Sequence, residues 1–175
     1  MDKRGAYFFV IDAFIAVSII ITVVIIIFSA QSSSPESKPT LLLLQDFMAS
    51  ISGTEIRELQ GAYTQGLVDD GNITDLDNTV LEQIIEFYYI NQSTGRNMSG
   101  IISGFINETS SSIIPESRSF IMRMYNDSFS VVLYNRSRYP ADNSNLMLGL
   151  SKIGFKRINQ TAIYGPMMIE VKIWV

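Results

Sequence analysis

The stretch from Ala6 to Ala30 constrains this chain more than any other: it is apolar or small apart from Tyr7, Asp12, Ser18, Thr22 and Ser29. Roughly 25 residues of helix, rising about 1.5 Å each, reach some 37 Å, enough to cross a hydrocarbon core with tilt. Lys3 and Arg4 precede the run, which puts the short N-terminus on the cytoplasmic side and everything after Gln31 outside. Tyr7, Phe8 and Phe9 fall where an inner membrane interface favours aromatic rings. A cleaved secretory signal would carry a shorter apolar region, of about 7–15 residues. It would also have no use for Asp12, the sole charge between Arg4 and Glu36. An aspartate at the centre of a membrane helix costs about 2.5–3.5 kcal/mol, and less near an end. A lone anchor gains nothing in return, whereas a helix that packs beside a neighbour's cationic group recovers the cost. The run therefore reads as a helix built to pack against copies of itself.

The totals narrow the remaining functions. The hydrophobic fraction of 47% is concentrated in the first thirty residues, and the chain beyond Gln31 reads as a polar globular domain. A net charge of −4, with no Lys/Arg cluster longer than Lys3-Arg4 or Lys156-Arg157, gives no electrostatic footprint for nucleic acid. The chain has no Cys and no His. That removes disulfides, thiolate and imidazole metal sites, Cys or Ser–His nucleophiles and the usual neutral-pH base. No catalytic residue, metal or cofactor is assigned, and the chain reads as a protein that is not an enzyme.

Lys3-Arg4-Gly5-Ala6, followed by an aromatic-apolar helix with an early acidic residue, resembles the class III signal of archaeal type IV pilins. The resemblance implies that a prepilin peptidase cuts on the cytoplasmic side, after Gly5 or Ala6. It implies that the apolar helix stays in the mature protein as the filament core. It further implies that Asp12, Phe8 and Phe9 serve subunit assembly, Asp12 by pairing with the new N-terminal amine of an adjacent copy. The family's acid usually falls at the fifth mature position, whereas Asp12 is seventh after a Gly5 cut or sixth after an Ala6 cut.

Four segments follow from this reading: a leader at 1–5, the apolar transmembrane or filament-core helix at 6–30, a Ser/Pro linker at 31–40 and an extracellular head at 41–175. Pro35 and Pro39 stop or kink the first helix. "LLLLQDFMASISGTEIRELQ" then has helical periodicity, with Leu43, Leu44, Phe47, Met48 and Ile51 on one face and Gly53 as an interruption. "LVDDGNITDLDNT" offers oxygen ligands at Asp70, Asn72, Thr74, Asp75 and Asp77. It lacks a glycine at the sixth loop position and a glutamate at the twelfth, as a Ca²⁺ loop needs, so a solvated turn and helix cap are favoured. Thr79 and Glu82 form a capping box for "VLEQIIEFYYI", with Leu81, Ile84, Ile85 and Tyr88 inward. "SGIISGFINE" supplies a third helix with two glycines. After Pro115 the period becomes two: strands flank Asn126-Asp127, and "LMLGLSKIGFKR" and "MMIEVKIWV" add two more, the last with Ile169, Val171, Ile173 and Val175 inward. Tyr164-Gly165-Pro166 reads as a turn. The head is expected to be α+β, about three helices on one face of a four-stranded antiparallel meander.

Asn72, Asn91, Asn97, Asn107, Asn126, Asn135 and Asn159 each begin Asn-x-Ser/Thr. Chance predicts roughly two such motifs among the ten asparagines present, so N-glycosylation is expected, with Asn126 at a hairpin tip the best placed. The first functional reading is a major or minor pilin-like subunit of a surface filament, serving attachment. Its partners would be other copies or related pilins, the peptidase and assembly machinery, and the membrane before assembly. The alternatives are a single-pass envelope glycoprotein or adhesin that does not polymerise, and an ectoenzyme.

Overall fold

The computed structural model describes residues 12–25, 40–138, 140–144 and 146–174, in two units that divide between Ser37 and Lys38. In the first unit, residues 12–25 are helical (α1). This corrects the expected long transmembrane helix, because no helix among the described residues is long and apolar enough to cross a membrane. The 14 described helical residues rise about 21 Å, short of a hydrocarbon core of about 30 Å. The rest of the 6–30 span lies outside the described residues, as does 31–39.

The second unit is α+β, as expected. Helices α2 (Thr40–Gly53), α3 (Ala62–Asp69), α4 (Val80–Thr94) and α5 (Ser99–Ser111) precede strands β1 (Ser119–Tyr125), β2 (Ser130–Arg136), β3 (Met147–Arg157) and β4 (Ile163–Trp174). The inward stripes of α2 and α4 are the ones their periodicity marks, and α5 leaves Ile101 half-buried. Leu43, Leu44, Phe47, Met48 and Ile51 are buried on α2, Leu81, Ile84, Ile85 and Tyr88 on α4, and Ile102, Phe105 and Ile106 on α5. Gly53 ends α2, and "IRE" continues as one 3₁₀ turn, Ile56–Glu58. The capping box forms: Glu82 N–H donates to Thr79 Oγ1 at 3.2 Å, and Thr79 N–H donates to Glu82 Oε2 at 2.8 Å.

Helix α3 was not expected. It buries only Thr64 and Leu67 and so has no apolar stripe to read. Its first turn is closed from outside: Tyr63 N–H and Thr64 N–H donate to the Glu108 carboxylate of α5 at 2.8 and 2.9 Å, and Thr64 Oγ1 donates at 2.6 Å. A carboxylate borrowed from another helix thus satisfies donors that a side-chain N-cap normally takes. Gly61 leaves room for it, since a Cβ there would collide with that carboxylate.

The sheet is antiparallel with strand order β2-β1-β4-β3, two hairpins joined through β1 and β4 rather than the expected meander. Phe120, Met122 and Met124 of β1 and Met167, Ile169, Val171 and Ile173 of β4 are buried in the common core with the helices. Phe47 meets Phe120 edge-on at 5.4 Å, and Phe87 meets Phe105 edge-on at 5.7 Å. Tyr164-Gly165-Pro166 lies inside β4, opposite the register irregularity of β3 at Gly154–Lys156, instead of in a turn.

β2 and β3 sit on opposite edges, so the 137–146 connection crosses two strands, about 14 Å at some 4.8 Å per spacing. It passes the end where Ser119, Trp174 and Met147 are in register, and Arg138 N–H donates to Ser119 Oγ at 3.1 Å. Trp174 shares its parity with Glu170 and Lys172, yet it is only 3% exposed.

Candidate functional site

Helix α1 is the least ordinary surface among the described residues. All of residues 12–25 are exposed, and nine of them are large apolar side chains, from Phe14 at 76% to Val24 at 43%. Its hydroxyls do not break the apolar character. Ser18 Oγ donates to Phe14 O, and Thr22 Oγ1 donates to Ser18 O, both at 2.8 Å. Each satisfies itself against the preceding turn of its own helix, so neither demands water or a polar partner. Asp12 is the only charge on this stretch, and it is exposed. Lys3, Arg4, Gly5, Ala6, Phe8 and Phe9 lie outside the described residues.

The acidic segment of the head finds its cation within the protein. Lys156, on the helix-covered side of β3, is only 6% exposed. Its ammonium donates to Asn78 Oδ1 and stands 3.2 Å from Glu86 Oε2 and 3.5 Å from Asp75 Oδ2. Asn78 Nδ2 in turn donates to Gln83 Oε1 at 2.9 Å and to Glu86 Oε2 at 2.7 Å. Arg57 pairs with Asp77 and, at 2.7 Å, with Glu55. Two of the oxygens whose spacing evoked Ca²⁺ are therefore committed to Lys156 and Arg57. No group of three or more carboxylates among the described residues could hold a metal ion. A cleft of about 390 Å³ opens beside the network, between Asp75, Asp77, Glu82, Phe155, Arg157 and Ile163.

Lys156 was not singled out by its sequence, although a signal was there. It shares parity with Leu148, Leu150 and Gly154, the half-buried and buried positions of β3, and an inward lysine requires carboxylate partners. A second cluster, also unforeseen, sits where α4 meets the hairpins. Tyr88 stacks on Phe129 at 5.2 Å, and Tyr89 packs against Tyr164 at 5.0 Å. Burial pushes the Tyr164 phenol above the ordinary tyrosine range, and the neighbouring Tyr88 and Tyr89 add to the effect.

The seven sequon asparagines are unequal. Asn97, Asn107, Asn135 and Asn159 are exposed, whereas Asn72, Asn91 and Asn126 are half-buried. At the β3–β4 turn, Asn159 Oδ1 accepts from Thr161 N–H, Thr161 Oγ1 and Ala162 N–H at 2.8–3.0 Å. That holds the side chain by its oxygen. Asn126 Oδ1 is likewise engaged by Ser128 and Phe129 N–H, but its Nδ2 faces the sulfur of buried Met167 at 3.9 Å. Asn91 Oδ1 accepts from Met98 N–H, Asn72 Oδ1 from Arg96, and Asn107 Oδ1 from Tyr134 OH. Comparison with known protein families, with curated proteins and with solved structures finds no match for this chain.

Proposed function

We propose that the chain is a structural subunit of a type IV pilus-like surface filament, in which copies assemble through the apolar segment around α1. The observation that carries this reading is the exposure of nine large apolar side chains on a helix whose hydroxyls are satisfied internally. Apolar surface of that extent calls for cover, and a helix that is apolar all round is one that packs inside something. Copies of the same helix supply such cover. Asp12 fits the reading as the counter-charge to a neighbour's amine, with processing after Gly5 or Ala6 generating that amine. The head would then stand outside the filament core, on the cell surface, with sugar on several of its asparagines.

The test is direct. Filaments sheared from cells expressing the chain should contain its peptides and, by mass spectrometry, a new N-terminus at Ala6 or Tyr7 with residues 12–25 retained. Cells whose surface filaments lack the chain, or a mature protein that begins near Gln31, would overturn the proposal.

A further inference from the structure

Two side chains of the Lys156 network carry a nucleophile and an acyl group, and a third touches the nitrogen of each. Asn78 is only 4% exposed and Lys156 only 6%, deep burial for an amide and an ammonium. Asn78 Nδ2 donates to two acceptors, Gln83 Oε1 at 2.9 Å and Glu86 Oε2 at 2.7 Å. Those two bonds fix the amide with Oδ1 toward Lys156, whose Nζ donates to it. The amide carbon, Cγ, is one carbonyl bond, about 1.2 Å, from the oxygen that Nζ already touches. Glu86 Oε2 also stands 3.2 Å from Nζ, so a single carboxylate oxygen bridges both nitrogens. Asp75, 3.5 Å from Nζ, is 51% exposed and faces water as well. The backbone holds the three residues in place. Ile56 N–H donates to Asn78 O at 2.9 Å, Glu86 lies within α4, and Lys156 is paired in β3 with Tyr164.

We propose that Lys156 and Asn78 join in an intramolecular amide bond, with Glu86 as the proton carrier. The bond is a modification of the head and does not depend on the filament reading. Glu86 takes one proton from the ammonium, leaving an amine and a carboxylic acid. Neutralising the pair lifts the desolvation penalty that burial places on both charges. The Nζ lone pair then attacks Cγ, a carbon–nitrogen bond forms, and the carbonyl pair moves onto Oδ1. Glu86 gives its proton to Nδ2 and takes another from Nζ, through the oxygen that bridges them. The Cγ–Nδ2 bond breaks with its electron pair on nitrogen, the carbonyl re-forms, and ammonia leaves. Nothing is oxidised or reduced, and no co-reactant enters. Asn78 and Lys156 both line the cleft of about 390 Å³, which gives the ammonia an exit. Fixed orientation of the reacting groups takes the place of an external catalyst. The ion pair described above is the unreacted form, and its energetics belong to that form. The amide ties the segment before α4 to edge strand β3, between residues 78 apart in sequence.

The experiment is peptide mapping of the full-length chain, made in a host without N-glycosylation and incubated in detergent at neutral pH. The expected result is a protein lighter by one ammonia and a branched peptide joining Asn78 to Lys156. An unchanged mass overturns the proposal. So does loss of ammonia confined to a linear Asn78 peptide, which is succinimide formation. Wild-type chain held in urea from the outset should give no branched peptide, and a branch formed there would overturn the role of the folded geometry. Lys156→Arg should abolish the branch. Glu86→Gln, with its fold checked by circular dichroism, should slow its formation about 100-fold. Formation at the full rate in Glu86→Gln overturns the proton-carrier role, and the wild-type map decides the bond itself whether or not that variant folds.

Discussion

Replacing Lys156 by Met should be among the most damaging single changes in the head, and its size can be worked from the network. The ammonium faces Glu86 at 3.2 Å and Asp75 at 3.5 Å, and its side chain is 8% exposed. At an effective dielectric of about 20, a unit pair at that shorter distance attracts by roughly 5 kcal/mol before the cost of desolvation. The Asp75 side chain is 51% exposed, so water screens that arm to at most about 1 kcal/mol. The Glu86 side chain is only 22% exposed, and it loses its cation while staying inside. Removing one partner of such a pair costs about 3–5 kcal/mol, and partial access to water puts this case near 3. Met preserves most of the packing volume, so the loss measures charge and hydrogen bonding rather than a cavity. For a domain of this size it lowers the thermal midpoint by about 10 °C. Urea unfolding of residues 38–175, a unit with its own core, reads the change. Adding Glu86→Gln to Lys156→Met should recover about 2 kcal/mol, because the stranded carboxylate is gone. A Lys156→Met loss below about 1 kcal/mol, or no recovery from the second change, would refute the claim that this ammonium neutralises the acidic segment.

Asp12→Ala should leave the head's melting curve unchanged and remove sheared filaments from the medium, while Asp12→Glu keeps some; normal filaments from Asp12→Ala would end the counter-charge role. Gly61→Ala should cost about 1–2 kcal/mol by driving the Glu108 carboxylate off the first turn of α3. The same change in a Glu108→Ala background should cost much less, and an equal cost in both backgrounds would deny the cap. Tyr164 titrates high in the folded state, so the unfolded chain releases this proton first as pH rises. Stability should therefore fall as pH climbs above about 10, and Tyr164→Phe should remove part of that fall, as read by urea unfolding at a series of alkaline pH values. Intact-mass measurement of protein from its native source should show glycans, with Asn97, Asn135 and Asn159 occupied before Asn126; a mass equal to the bare polypeptide would refute the modification.

The elements legible in the sequence were those whose burial has a period. α2 and α4 each show an apolar stripe at helical spacing, and β4 alternates, so their inward faces could be named residue by residue. α3 escaped because what closes its first turn is Glu108, 44 residues along from Thr64, and no local pattern reports a cap that arrives from another helix. The strand order escaped for a related reason. Each hairpin is written in its own turn, but the β1–β4 pairing joins strands whose contact depends on closing a long loop. Turn chemistry at Tyr164-Gly165-Pro166 was real but went into a strand irregularity, because Gly165, at φ 125°, serves a bulged register as readily as a turn.

The candidate surfaces divide along the same line. An acidic run such as Asp70–Asp77 states only that oxygens are present, and whether they face an ion, water or an internal cation is decided by what the fold brings opposite. Here that is Lys156, 79 residues beyond Asp77, which arrives by the pairing of β3 on the helix-covered side of the sheet. The apolar helix is the contrary case. Its character is fixed by composition, and the structure adds that Ser18 and Thr22 spend their hydroxyls on their own backbone. A helix needing polar contacts across its interface would present those hydroxyls to a neighbour. Along residues 12–25 Asp12 is the one charge, so in the proposed filament a neighbouring copy would match this stretch by apolar packing and by a cation at Asp12.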